Sequence, residues 1–389
     1  NVLIVNDDSG SMGWDILTDQ NNGYYYFSSG DYLRYALKAT AGGSTYVAPS
    51  EQTVPGQGLW RIRNSTFNTV YYNPEVLYEP WEGLNSDDVD FPESTPTAAR
   101  HNPLTTKPIT NLRLLHDYQA RALVVSGEET CEIVCVFFWF GSCLLEQEVC
   151  TGGGGFKLVP EKDFYIPRYY SWDDKNGNGI LDATPSPASQ SLTSEGTLVE
   201  IRPASEGGSD TYPKSEFRTD CVTNDTTCSY EEELQNFSNW FTYARNREYA
   251  VKSALGKVIA AVENIRVGYA KLNGSNNIER IKSMNTSSRT GAKADLLDAI
   301  YVTNSSGGTP LRRALRDAGR HFECTSGDLF NSKNTAGPGD PDCPILAAPE
   351  GNCQHNYALL ISDGAWNGSF PNIGDADDDN NSNFDGGVY

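Results

Sequence analysis

"VNDDSGSM", residues 5–12, follows directly on the apolar run that starts at Val2. Four consecutive apolar residues, Val2 to Val5, read as a buried strand that stops abruptly. Beyond it, Asp7, Ser9 and Ser11 carry three oxygen side chains at two-residue spacing. That spacing is either a polar turn, with Asp and Ser in helix-capping roles, or one part of a metal site. Residues far down the chain have to decide between the two.

Two other segments carry strong periodicity. In "NFSNWFTYARNREYAVKSALGKVIAAVE" (236–263), Phe237, Trp240, Phe241, Ala244, Val251, Leu255, Val258, Ile259 and Val262 recur at three- and four-residue steps. This predicts an amphipathic helix of about seven turns. It runs into "IRVGYAKL" (265–272), an alternating β-branched strand. "GGTPLRRALRDAGRHF" (307–322) predicts another helix, with Pro310 at its first position, and "NYALLISDG" (356–364) a second buried strand ending in an acid. Strand, helix, strand, helix, strand is the order of a mostly parallel sheet covered on both faces. Residues 13–230 differ in character: rich in Tyr, Pro and Gly, with short strand-like runs and close turn signals. They are too many for a loop and read as a β-rich insertion after the first strand. The expected organisation is an α/β domain, residues 1–12 with 231–389, interrupted by that insertion, its C-terminal end incomplete.

Composition narrows the class. The chain has 389 residues, 38% of them hydrophobic, and a formal charge of -21. Such a polyanion repels nucleic acid and anionic membranes, while its acids suit hard cations such as Ca²⁺ or Mg²⁺. Nine cysteines, Cys131, Cys135, Cys143, Cys150, Cys221, Cys228, Cys324, Cys343 and Cys353, fall mostly in local pairs: 131 with 135, 143 with 150, 221 with 228, 343 with 353. No pair has the matched spacing of a zinc module. Disulfides in an exported protein are the better reading, with one thiol over. No apolar run reaches the roughly 18 residues of a membrane span. The chain opens inside a strand and "NFDGGVY" (383–389) finishes no element, so the expectation is a trimmed piece of an exported protein.

In a parallel sheet, ligands gather at the carboxyl ends of the strands. Asp7, Ser9 and Ser11 follow the first strand, Asp363 follows "YALLIS", and Thr309 lies in the Gly-rich loop "SSGGTPL". Three hydroxyls and two carboxylates form an all-oxygen set suited to Mg²⁺, Mn²⁺ or Ca²⁺. An ion held by hydroxyls, with its acids bound through water, keeps positive charge for an acidic group of another molecule. These residue types therefore favour adhesion over simple structural metal binding.

"DDSGSM", "GGTPL" and "ISDG" together resemble the metal-ion-dependent adhesion site of von Willebrand factor type A domains, a Rossmann-like α/β fold. "YYNPEVLYEPW" (71–81), "RTDC" (218–221), "CSYEEELQNFSNWFTYARNRE" (228–248) and "CQHNYALLISDGAWNG" (353–368) resemble segments of the PilY/PilC family of type IV pilus tip proteins. The resemblance implies an extracellular adhesin and pilus-biogenesis factor at the pilus tip, exported through the periplasm. Its partners would be minor pilins and a host or abiotic surface ligand with acidic groups. Family members usually continue into a C-terminal β-propeller, a further expected partner with no counterpart in these residues. Carried over residue by residue, the metal ligands are Asp7, Ser9, Ser11, Thr309 and Asp363. Asp8 departs from the family pattern, where an uncharged residue is common, and an extra acid there would shift metal preference.

Two acidic stretches offer calcium sites. "WDDKNGNGILD" (172–182) puts Asp174, Asn176, Asn178 and Asp182 at positions one, three, five and nine of an EF-hand-like loop, with Gly179 at six but Pro185 at twelve. A hairpin turn explains the same residues. "GDADDDNNSNFDG" (374–386) alternates Asp375, Asp377, Asp379, Asn381, Asn383 and Asp385, either a Ca²⁺ wrap or a solvated acidic loop. "GYYYF" (23–27) and "FYIPRYYSW" (164–172) read by default as β-core, otherwise as a binding surface. "CEIVCVFFWFGSC" (131–143) reads as a disulfide-pinned strand pair, or else as an apolar surface for a pilin. His101, His116, His321 and His355 fit no nucleophile motif, and no His falls in the three metal loops to act as a base. The expected function is non-enzymatic adhesion and tip assembly. The competing reading is a structural tip plug docking minor pilins, its metal only ordering loops.

Overall fold

The computed structural model describes residues 1–15, 17, 26–28, 31–33, 63–66, 68–117, 130–139, 142–151, 158–160, 165–172, 196–274, 278–324, 337–340, 343–364, 366–369 and 371. The chain forms two compact units: Asn1–Trp14, Trp81–Phe91 and Val251–Tyr389 make one, and Asp15–Pro80 with Pro92–Ala250 the other.

The first unit is built on a four-stranded mixed sheet. Its strands are β1 (Val2–Asn6), β2 (Arg266–Lys271), β3 (Glu279–Ser283) and β4 (Tyr357–Ile361), in the order β3-β2-β1-β4. β1 runs parallel to both neighbours, Leu3 lying opposite Gly268 on one side and Ala358 on the other. β3 pairs antiparallel with β2. Leu3, Ile4 and Val5 are at most 3% exposed, which is why β1 is apolar on both faces: a central strand has no solvent side.

Four helices of eight or more residues are described: α1 (Tyr230–Tyr243), α2 (Arg247–Ala261), α3 (Ala292–Tyr301) and α4 (Leu311–Phe322). Ala314 and Ala318 of α4 pack with Leu3, Val5, Ala270, Leu272 and Ile281. On α2, a Cβ at Gly256 would lie 2.2 Å from the Tyr301 hydroxyl, so glycine permits this approach to α3. The Tyr301 ring stacks on Trp81 with centroids 4.7 Å apart and meets Phe91 edge-on at 5.5 Å, and its hydroxyl donates to Glu82 O.

The second unit has an aromatic core in which α1 places Leu234, Phe237, Trp240 and Phe241 among Tyr71, Tyr72, Tyr165 and Tyr169. The unit also holds antiparallel pairs, among them Thr130–Trp139 with Ser142–Thr151 and Arg168–Trp172 with Gly196–Glu200. The buried Tyr165, Ile166, Tyr169 and Tyr170 show that the 164–172 stretch is core within its described part. A reciprocal capping box starts α1: Glu232 N donates to Ser229 Oγ and Ser229 N to Glu232 Oε2. Arg218, fully buried, is held by Glu233 at 2.7 Å and Asp220 at 2.9 Å.

Several expectations change. The seven-turn helix is two helices, because Asn246 Oδ1 accepts from Tyr249 N at 2.8 Å and caps a new start. Val258, placed on its apolar face, is 55% exposed. Pro310 precedes α4 rather than opening it. β4 is not buried: Tyr357 and Leu359 are 60% and 46% exposed, and only the alternate Leu360 turns toward the α4 core. Cys343 bonds Cys324 rather than Cys353, whose thiol is free and exposed. α4 ends at Phe322, and the Cα of Cys324, at φ 57°, lies 5.0 Å from that of Cys343. Cys221 and Cys228 are bonded as their spacing suggests. Along the 130–151 hairpin the backbone register sets Cys131 opposite Cys150.

Candidate metal site

β1 and β4 end side by side, and their loops stay joined beyond the sheet. Asp7 N donates to Ile361 O at 2.8 Å. The Asp7 carboxylate is 1% exposed and bonded at both oxygens: Oδ1 accepts from Ser9 N at 2.8 Å and Oδ2 from Ser362 Oγ at 2.7 Å. A short 3₁₀ turn, Gly10–Gly13, then brings the Ser9 and Ser11 hydroxyls within 3.1 Å of one another. The alternation seen in "DDSGSM" is thus a turn that gathers oxygens on one side.

The loop between α3 and α4 is latched onto this turn. Ser306 N donates to Asp8 O at 2.6 Å and Gly10 N to Gly307 O at 3.2 Å. Thr309, 5% exposed, pairs reciprocally with the loop after β4: Thr309 N donates to Asn367 Oδ1 at 3.0 Å and Asn367 N to Thr309 O at 2.9 Å. The two glycines ahead of Thr309 are required by space. Gly307 sits at φ 89°, and a Cβ on Gly308 would lie 2.8 Å from Asn367 Oδ1.

Asp8, 2% exposed, is engaged in the clamp between these loops. Its Oδ1 accepts from both Asn273 N and Asn273 Nδ2 at 2.9 Å, and Asn273 Nδ2 also donates to Gly308 O at 2.7 Å. Lys271 Nζ lies 3.7 Å from Oδ2. Burial pushes the Asp8 carboxyl above its ordinary range, with the Asn273 hydrogen bonds and the Lys271 charge opposing. Behind the turn, Asn6 Nδ2 donates to the Tyr269 hydroxyl, which donates to Thr303 Oγ1 at 3.0 Å. Lys252 Nζ ties down the Tyr301 and Thr303 carbonyls at the end of α3.

Asp7, Ser9, Ser11 and the loop carrying Thr309 are therefore linked by direct hydrogen bonds, and Asp363, half-buried, is the residue after Ser362. These five side chains offer oxygen alone, three neutral hydroxyls and two carboxylates, which fits a hard divalent ion and disfavours zinc. Among the described residues no three His, Cys, Asp or Glu side chains gather as a metal cluster; a set completed by hydroxyls needs none. Asn273, Ser362 and Asn367 were not singled out from sequence, although Ser362 lies inside "ISDG". Asp174, Asn176, Asn178 and Asp182, and Asp375, Asp377, Asp379, Asn381, Asn383 and Asp385, lie outside the described residues. Among the described residues no helix is long and apolar enough to cross a membrane.

No family model matches the chain, and no solved structure does. Curated relatives do. Over 172 residues, 41% of this chain, it is 30% identical to the type IV pilus biogenesis factor PilY1 of Pseudomonas aeruginosa strain PAO1. It is 30% identical over 162 residues to PilY1 of strain PAK, and 26% identical over 174 residues to that of strain UCBPP-PA14. The matched regions span only 14%, 13% and 14% of those proteins' own lengths. Over about 40% of its length, this chain is thus a homologue of the PilY1 type IV pilus biogenesis factors.

Proposed function

We propose that the first unit is a von Willebrand type A domain of a type IV pilus adhesin and biogenesis factor, acting outside the cell at the pilus tip. A divalent ion, Mg²⁺ or Mn²⁺, is held by Asp7, Ser9, Ser11, Thr309 and Asp363 and captures an acidic group on a surface ligand or another pilus component. The role is binding, not catalysis. What supports the reading is the latching of three loops, the first about 300 residues or more before the other two in sequence, around Asp7 at the carboxyl ends of parallel strands. Kinship with pilus biogenesis factors supports the biological setting.

Calorimetric titration of Mg²⁺, Mn²⁺ and Ca²⁺ into chelator-stripped protein tests it. Mg²⁺ or Mn²⁺ binding that disappears in Asp7→Ala and in Asp363→Ala is the expected result. Binding of Ca²⁺ alone, indifferent to both substitutions, would move the ion to the later acidic stretches and favour a structural plug over an adhesion site.

A further inference from the structure

The helix that leaves the candidate metal site is basic in a strongly acidic chain. Against a net charge of -21, α4 carries Arg312, Arg313, Arg316 and Arg320 within nine residues, and Asp317 is its one acid. Arg312, Arg316 and Arg320 are four residues apart, so they form one row along the helix. The row is about 12 Å long at 1.5 Å per residue. Asp317 pairs with Arg316 at 2.7 Å and lies 3.7 Å from Arg320. Arg312 and Arg313 are exposed in the first turn, which contains no acid.

That placement opposes helix electrostatics. The first turn of a helix favours anions, and cations belong at the other end. Two arginines there weaken α4 and concentrate positive potential one turn from Thr309. Beside them, Trp366 is 47% exposed, with the Arg312 guanidinium 3.4 Å from its ring centroid. Stacking fixes the direction of that guanidinium and leaves an apolar surface alongside it. Trp366 is held near Thr309 because the next residue, Asn367, makes both hydrogen bonds to it.

We infer that α4 and Trp366 form a second half of the ligand surface, which takes an extended acidic segment of another protein. The argument is charge complementarity and spacing. Alternate residues of an extended chain are about 6.6 Å apart, close to the roughly 6 Å between successive arginines of the row. One carboxylate sits on the ion and the following ones lie along Arg312, Arg316 and Arg320. The inference deepens the proposed adhesion reading and rests on it for the first carboxylate only.

Fluorescence anisotropy of a fluorescein-labelled hexa-aspartate peptide, titrated with the Mg²⁺-loaded chain, tests this. Arg312→Gln/Arg313→Gln is expected to weaken binding about tenfold while Mn²⁺ affinity, read separately by calorimetry, stays unchanged. Trp366→Ala is expected to weaken it as well. The control Lys107→Gln/Lys257→Gln makes the same change in net charge at exposed positions elsewhere and is expected to have little effect. An unchanged affinity in the arginine variant, or an equal loss in the control, would overturn the ridge. Wild-type self-association in sedimentation, abolished by the arginine substitutions, would also overturn it by making a second copy the occupant. Failure of the metal reading shows differently: no Mn²⁺ binding in wild type, with the arginine effect persisting in chelator.

Discussion

Asn273 grips Asp8 twice, donating its backbone N and its side-chain Nδ2 to the same carboxylate oxygen, both at 2.9 Å. The same amide reaches Gly308 O, so one side chain joins the β1 loop to the loop of Thr309. Asn273→Ala removes the side-chain donor from a buried carboxylate and from a carbonyl together. Denaturant unfolding is expected to show a loss of about 1–3 kcal/mol. Mn²⁺ affinity should fall as well, because the Thr309 loop loses an anchor. A variant as stable as wild type would show that this clamp contributes little.

Gly256 makes a prediction opposite to helix propensity. In an exposed helix, Gly→Ala stabilises by about 1 kcal/mol. Here the added methyl would meet the Tyr301 hydroxyl at 2.2 Å, and Tyr301 cannot swing away from its stack on Trp81. Gly256→Ala is expected to destabilise by about 1–3 kcal/mol. Combining it with Tyr301→Phe should recover part of that loss, and a double-mutant cycle by thermal unfolding measures the coupling. Additive effects would mean the two side chains do not compete for the same space.

Glu232 gives the capping box a pH signature. Desolvation works to raise its pKa, but hydrogen bonds from Ser229 N and Thr223 outweigh it and hold the carboxyl at about 2 rather than 4.5. Because the folded value is the lower one, the unfolded chain protonates first as pH falls. The contribution is therefore complete above pH 4.5 and lost between there and pH 2. Glu232→Gln should lower Tm at pH 6 and converge with wild type near pH 2. A gap independent of pH would mean that the carboxylate charge plays no part in the cap.

The cysteine pairing is checkable by mass spectrometry. Non-reducing peptide mapping is expected to find Cys221 linked to Cys228 and Cys324 to Cys343. Maleimide added to the native protein should label Cys353. A linked 343–353 peptide would contradict the Cys324–Cys343 bond.

Legibility from sequence followed the physics of each element. β1, β2 and β4 announce themselves by apolar or alternating side chains, and Asp7, Ser9 and Ser11 by three oxygen side chains placed directly after an apolar strand. β3 does not, since "ERIKS" buries Ile281 alone, too little contrast for alternation to register. The break between α1 and α2 is hidden because apolar steps continue across it; only the capping role of Asn246 marks it. α3 carries a short period, Leu296, Leu297 and Ile300, easily lost between polar loops. Asn273 and Asn367 look like ordinary turn residues, because their partners, the Asp8 carboxylate and the backbone of Gly308 and Thr309, lie far away in sequence.

The pairing of β1 sets an order on folding. Val2 lies opposite Val267 and Tyr357, so during synthesis β1 has neither neighbour until the residues up to Val267 have followed it. Closing so large a loop is less prohibitive than it sounds: chain entropy grows with the logarithm of length, about 0.6 kcal/mol per doubling. The larger consequence is kinetic. Contacts this distant in sequence slow folding, and an apolar strand waiting for its partners is an aggregation hazard. A chaperone or export factor that shields residues 2–5 during that wait should raise the yield of the folded protein more than one acting on α4.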